Sequence, residues 1–214
     1  MTTIDAAAFS NCYRLVEICN PSALEITKGS LDNGCIAQYA LNVYTSTEEK
    51  SKVMTNADGY VFYADGDSCY LLAYVGEETS LQLPKSCLGK DYVIREYAFY
   101  MGGDITAMTI PEGVVGIASR AFLHCADITE ITFPDSLTFI GEGAFYECDK
   151  LEKVSLGKGL ASIGSLAFDE CYQLTQIYFR GTCEEWQQVA TGLHWAYYTS
   201  AQEVVCTDGA IDLN

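Results

Sequence analysis

The sequence predicts a β-rich α+β solenoid, a coil of short strands and brief turns, with a β-meander inserted into it. Three observations predict this. Columns of like residues recur every 23 positions, each unit carries too little apolar surface to bury alone, and one non-repeating segment holds Asp-Gly turns between apolar runs.

The repeat is explicit in the residues. Ala-Phe stands at Ala98-Phe99, Ala121-Phe122, Ala144-Phe145 and Ala167-Phe168. Ile94, Ile117, Ile140 and Ile163 keep the same interval, and the next position in that column is Trp186. Ile105, Ile128, Leu151 and Leu174 make a further column, as do Met108, Ile131, Val154 and Ile177, and Ile110, Phe133, Leu156 and Phe179. Cys125, Cys148 and Cys171 form the last, with Gly102 in the place of a fourth cysteine. Within a unit, Leu151, Val154 and Leu156 end in the period-2 pattern of a strand with one buried face. Pro111 and Pro134 close such strands, because proline cannot donate to a sheet ladder. Gly-Glu-Gly-Ala-Phe, residues 141–145, then leaves room only for a helical or 3₁₀ turn.

The amino terminus carries the same offsets at Ile4, Ala8-Phe9, Cys12, Leu15 and Ile18. Phe9 and Phe99 are 90 residues apart, which is not a multiple of 23, so something intervenes. Residues 27–82 read as that insertion. Strand-like runs at 52–55, 60–63 and 69–75 are separated by Asn-Ala-Asp-Gly and Ala-Asp-Gly-Asp, a three-stranded meander. Leu81-x-Leu83-Pro84 resumes the repeat pattern. Thr182 and Glu185 form a capping box that opens a helix of about two turns through Val189, and a strand near 204–206 completes a terminal cap. The expected organisation is an amino-terminal repeat at 1–26, the insertion at 27–82, the repeat block at 83–181 and the cap at 182–214.

Composition removes several functional classes. The 214 residues hold 12 Lys+Arg and 29 Asp+Glu, a net charge of −17, which opposes nucleic-acid binding. An apolar content of 49% is too high for a disordered chain, and no run reaches the ~18–20 apolar residues of a membrane helix. Ten cysteines contain no C-x-x-C pair, and the amino terminus lacks the pattern of a signal peptide, which leaves a cytoplasmic location open. The cysteine column reads as small buried thiols against the backbone turn, because equivalent side chains in a solenoid point in parallel. A bridge among Cys19, Cys35, Cys69, Cys87, Cys183 and Cys206 stays open. His124 reads as a surface residue. His194, Trp195, Tyr197 and Tyr198 read either as an exposed aromatic patch or as packing under the cap. Asp58, Asp65 and Asp67 fit no EF-hand spacing, and no nucleotide or nucleophile-elbow motif occurs. No catalytic, cofactor or metal site is expected.

Residues 105–171 resemble the BspA-like class of leucine-rich repeats, Leu-x-x-Ile-x-Ile-Pro-x-x-Val-x-x-Ile-x-x-x-Ala-Phe-x-x-Cys, found in bacterial surface proteins and some protist ones. The resemblance implies a right-handed coil with helical or 3₁₀ turns on its convex side, an extracellular or cell-surface location, and a non-enzymatic role in binding protein or glycan. The alternative is a spacer that has no ligand of its own. Alternation along the strands places Thr109, Thr132, Ser155 and Tyr178 in one exposed row about 4.8 Å apart. The expected partner-binding residues are Thr109, Glu130, Thr132, Lys153, Ser155, Gln176, Tyr178 and Arg180, on the concave sheet that solenoids commonly use.

Overall fold

The computed structural model describes residues 4–46 and 48–213. The first three residues of the amino-terminal segment therefore lie outside the described residues. The chain divides into two compact units, 1–54 and 55–214.

In the first unit, β1 (Glu17–Cys19) pairs in parallel with β2 (Asn42–Tyr44) 25 residues later, Ile18 against Val43. Between them, α1 (Asp32–Cys35) is a single irregular turn with Asn33, Gly34 and Cys35 in the left-handed region. The Phe9 N–H donates to the Gly34 carbonyl at 2.7 Å. Residues 32–44 thus form a second coil on the plan of residues 5–19. They look irregular in sequence because the interval is 25 rather than 23 and alanines replace larger core residues. Ile18, Ala37 and Ala40 are the buried centre, with Leu15, Ile26, Ile36 and Val43 packed on them. A short strand, β3 (Val53–Thr55), lies where the two units divide.

The second unit opens with a hairpin of β4 (Tyr60–Asp65) and β5 (Ser68–Tyr74), antiparallel around Gly66. β6 (Ser80–Gln82) and β7 (Tyr92–Ile94) follow, then β8 (Ala107–Thr109), β9 (Val114–Ile117), β10 (Glu130–Thr132), β11 (Phe139–Ile140), β12 (Lys153–Leu156), β13 (Ser162–Ile163) and β14 (Gln176–Phe179). After these come α2 (Cys183–Trp186), β15 (Ala190–Thr191), β16 (Glu203–Val205) and β17 (Ala210–Asp212). Strands alternate between two sheets. One is the seven-stranded order β17-β16-β14-β12-β10-β8-β6, parallel except for β16–β17. The other runs β15-β13-β11-β9-β7-β5 in parallel and then turns into the hairpin.

Between the sheets, each coil buries the columns read from the sequence. Phe122, Phe145 and Phe168 are fully enclosed, and Phe99 is nearly so. Their rings stack nearly parallel at 4.9, 4.8 and 5.1 Å, a spacing equal to that of neighbouring strands. Backbone bonds run beside the rings, Phe99 N–H to Ala121 O, Phe122 N–H to Ala144 O and Phe145 N–H to Ala167 O, each 2.8 Å.

The turns that carry Ala-Phe contain no continuous helix. The i→i+3 hydrogen bond of a 3₁₀ turn recurs, as in Leu123 N–H to Arg120 O and Cys125 N–H to Phe122 O. Left-handed residues interrupt it at two columns, Tyr97, Arg120, Gly143 and Leu166, then Met101, His124, Glu147 and Glu170. These residues rotate the peptide planes so that N–H groups face the next coil instead of closing a helix. Arg120, Phe122 and His124 donate to Glu142, Ala144 and Tyr146, and Gly143, Phe145 and Glu147 donate to Ser165, Ala167 and Asp169.

The closing coil is longer than the 23-residue repeat. The capping box is present, with Thr182 accepting from the Glu185 N–H and Glu185 answering to the Thr182 N–H, but the helix is one turn and ends at Trp186. Ile163 pairs with Thr191, 28 residues on, so Thr191 and not Trp186 continues the isoleucine column. Trp186 instead closes the core from the inserted helix, against Phe179 at 5.3 Å and Trp195 at 5.8 Å. Beyond it the expected last strand is β16, and β17 turns back along it.

Two measurements check this account. Phe145→Ala opens a cavity in the middle of the ring stack and is expected to cost ~3–5 kcal/mol in denaturant unfolding; a midpoint unchanged from wild type would show that the ring is not enclosed. Gly143 has a φ of 56°, and a Cβ there would find nothing nearer than 3.7 Å. Gly143→Ala is therefore expected to cost about 1 kcal/mol from backbone strain alone, and a neutral result would mean the left-handed column is wrong.

Candidate interaction surface

The exposed face of the first sheet is built by strand alternation. In each repeat strand the central residue points inward (Met108, Ile131, Val154, Ile177), and its neighbours point out. The register aligns Thr109, Thr132, Ser155 and Tyr178 across four neighbouring strands. A second row aligns Glu130, Lys153 and Gln176. The structure thus brings together the residues expected from the sequence. The row also extends at both ends, to Gln82 beside Thr109 and to Val205 beside Tyr178. Tyr178 lies inside the sheet, not at its margin, because β16 and β17 add two strands beyond it.

The charged members are tied to neighbouring coils. Lys153 Nζ lies 2.7 Å from Glu130 Oε1 and 5.9 Å from the centre of the Tyr178 ring. The hydrogen bond it donates to Glu130 holds the Lys153 ammonium above its usual pKa. Tyr178 Oη bonds Gln176 Oε1 at 3.3 Å. Arg180 reaches back two coils, donating to the Phe133 carbonyl and to Asp135 Oδ1, both at 2.7 Å. Asp135 was not singled out by sequence reasoning, and only its separation of nearly two repeat lengths hints at the contact. Glu112 joins this corner. Its carboxylate accepts from the N–H groups of Asp135 and Ser136 at 3.0 and 2.9 Å, and the first of these bonds leads in lowering its pKa. Along the edge where the repeat strands begin, Thr129, Glu130, Glu152, Lys153, Thr175 and Gln176 line a shallow pocket of about 140 Å³.

The cysteines occupy structural positions, and all ten are free thiols. Cys125, Cys148 and Cys171 are fully buried and point to the carbonyls of Phe99, Phe122 and Phe145, one coil back, at 3.0, 3.4 and 3.1 Å. Burial pushes the Cys125 thiol up to about 12 from 9.0 and raises Cys148 as well. Cys69 Sγ lies 3.6 Å from the Cys87 carbonyl oxygen. His124 Nδ1 meets Glu147 Oε2 at 3.0 Å, half exposed. Asp67 is paired with Lys90 at 2.9 Å. Among the described residues no cluster of three or more His, Cys, Asp or Glu is arranged to hold a metal ion, and no helix is long and apolar enough to cross a membrane.

The profile of the BspA type leucine-rich repeat region matches residues 92–191 in six copies. Over this block the chain matches the BspA-type leucine-rich repeats. Repeats of this type are generally non-enzymatic and act in binding or as scaffolds. Among solved structures, the chain is similar to a leucine-rich repeat protein from Bacteroides capillosus, at 22% identity and a TM-score of 0.48, over 73% of this chain and 99% of that one. It is similar to the leucine-rich repeat protein of T. pallidum at 21% identity and 0.46, over 68% and 82%. A leucine-rich cell surface protein from Faecalibacterium prausnitzii gives 18% identity and 0.45, over 76% and 56%. No curated protein matches the chain.

At Cys125 and Cys148 burial makes the folded thiol harder to ionise than the unfolded one. Their stabilising contribution is complete below about pH 9, the unfolded value, and is lost as pH rises toward the folded value of about 12 for Cys125. At pH 8 we expect iodoacetamide to leave Cys125, Cys148 and Cys171 unmodified in the native protein and to alkylate all three after denaturation without reductant. A bridge at any of them, or fast native labelling, would contradict the column.

Proposed function

We propose that the protein is a non-enzymatic binding module of a bacterial cell-surface or secreted protein, recognising a protein or glycan partner through the face that carries Thr109, Thr132, Ser155 and Tyr178. The observation that carries this reading is the register. It sets a hydroxyl-bearing row on consecutive strands, flanked by Glu130, Lys153 and Gln176 on one side and by Arg180 on the other. Such a rigid, evenly spaced row loses little conformational freedom when it is covered. Tyr and Arg are also the residue types over-represented at interface hot spots. The surface location rests on the type of repeat.

One observation favours the spacer reading instead. Arg180 spends its donors on Asp135 and the Phe133 carbonyl, and Lys153 on Glu130, so both cations are already paired within the array. The test is a glycan array and host-protein panel with wild type and a Tyr178→Ala, Arg180→Ala double variant. A partner held by wild type and lost at least tenfold by the variant supports the row. Equal binding by both overturns the row, and no partner at all supports the spacer.

A further inference from the structure

The coil-to-coil ladder in the Ala-Phe turns is polar. Between the two left-handed columns of each turn, the coil-to-coil donors belong to the earlier coil and the acceptors to the later one. The last bonds of this kind are Leu166 N–H to Leu193 O at 3.1 Å and Phe168 N–H to Trp195 O at 2.7 Å. His194, Ala196 and Tyr198 therefore stand where Leu166, Phe168 and Glu170 stand one coil earlier, and His194 keeps the left-handed φ of that position, 56°. Among the described residues no further coil covers this turn. Among the described residues the N–H groups of His194, Ala196 and Tyr198 meet no acceptor.

The residues that carry these donors line an open cleft of about 520 Å³ at the carboxy-terminal end of the second unit, within the ~300–1,000 Å³ of ligand sites. The aromatic group divides there. Trp195 packs inward on Phe168 and Trp186, at 6.2 and 5.8 Å. Tyr197 and Tyr198 stay outside, 51% and 57% exposed. Tyr197 stacks on His194 at 4.6 Å and 25° and touches Tyr198 at 4.4 Å. The stack presents ring surface to solvent, with Thr199, Gln202 and Leu213 on the other lining positions.

We propose that this cleft is a second binding site, for a neutral sugar. Three features select that class. An edge that offers donors without alternating carbonyls cannot be continued by a peptide strand, whose exposed edge alternates donors and acceptors. No Asp, Glu, Lys or Arg lines the cleft, and the chain as a whole carries −17, which disfavours an anionic ligand. Exposed aromatic faces beside neutral hydrogen-bonding groups match a ring that is apolar on its faces and hydroxylated at its edge. The site is separate from the Tyr178 row and does not depend on that reading.

The experiment titrates the whole protein with neutral hexasaccharides of glucose, mannose and xylose and with oligogalacturonate, reading tryptophan fluorescence and heat. At least one neutral hexasaccharide is expected to bind with a Kd below 1 mM, and oligogalacturonate more weakly. Tyr197→Ala and Tyr198→Ala are each expected to weaken it about tenfold, whereas Tyr197→Phe and Tyr198→Phe retain it within about twofold, with unchanged thermal melts throughout. Tyr178→Ala with Arg180→Ala should leave this binding intact. The proposal is overturned if no neutral sugar binds below 1 mM, if the charged sugar binds more tightly, or if the alanine variants bind as wild type does.

Discussion

The structure depends on one constraint, that every coil must rest on the next at a single spacing. The strand ladders set it near 4.8 Å, and the phenyl stack meets the same distance from the side chains. Two further bonds hold the turn to that pitch. A thiol reaches back to the carbonyl of the preceding Phe, and the Phe N–H reaches forward to the next Ala carbonyl. Because a coil cannot bury its apolar face alone, none of these contacts exists without the neighbour, and stability accumulates interface by interface. Glycine shows how close the approach is. A Cβ at Gly141, Gly164 or Gly192 would stand 2.2–2.4 Å from a backbone nitrogen of the adjoining coil.

Much of this was legible in the sequence because the constraint repeats. Phe, Ile and Cys at one interval identify the buried columns, and strand alternation then places Thr109, Thr132, Ser155 and Tyr178 outside without further information. The capping box at Thr182 and Glu185 was legible for a different reason, since it is a local rule. What escaped is what breaks the interval. Residues 32–44 close a coil at 25 residues with alanines in the core, and the α2 coil closes at 28, so a column counted in steps of 23 arrives at Trp186 when the strand register arrives at Thr191.

The turn conformation was hidden for another reason. Tyr, Arg, Met, His, Leu and Glu occupy left-handed positions that composition would assign to glycine or asparagine. Each costs about 1–2 kcal/mol of backbone strain. A forward hydrogen bond at most of these positions offsets it, and only the neighbouring coil can supply that bond. Tertiary context decides the local conformation here, so no local reading of Ala-Phe could have found it.

Charge follows the same geometry and narrows what the repeat face can meet. Ion pairs form across the coil interval, Lys150 with Asp127, Lys153 with Glu130 and Arg120 with Glu142. Each is half exposed and adds at most about 1 kcal/mol, so their effect on stability is slight. Their effect on recognition is larger. The chain has only 12 cations against 29 acids, and the pairs use cations of the repeat block while leaving carboxylates such as Glu152 exposed beside the row. The face therefore presents hydroxyls in an acidic surround. A basic partner would be drawn to it and an anionic one repelled, and salt would weaken the first effect and relieve the second, since both act between exposed charges within a Debye length.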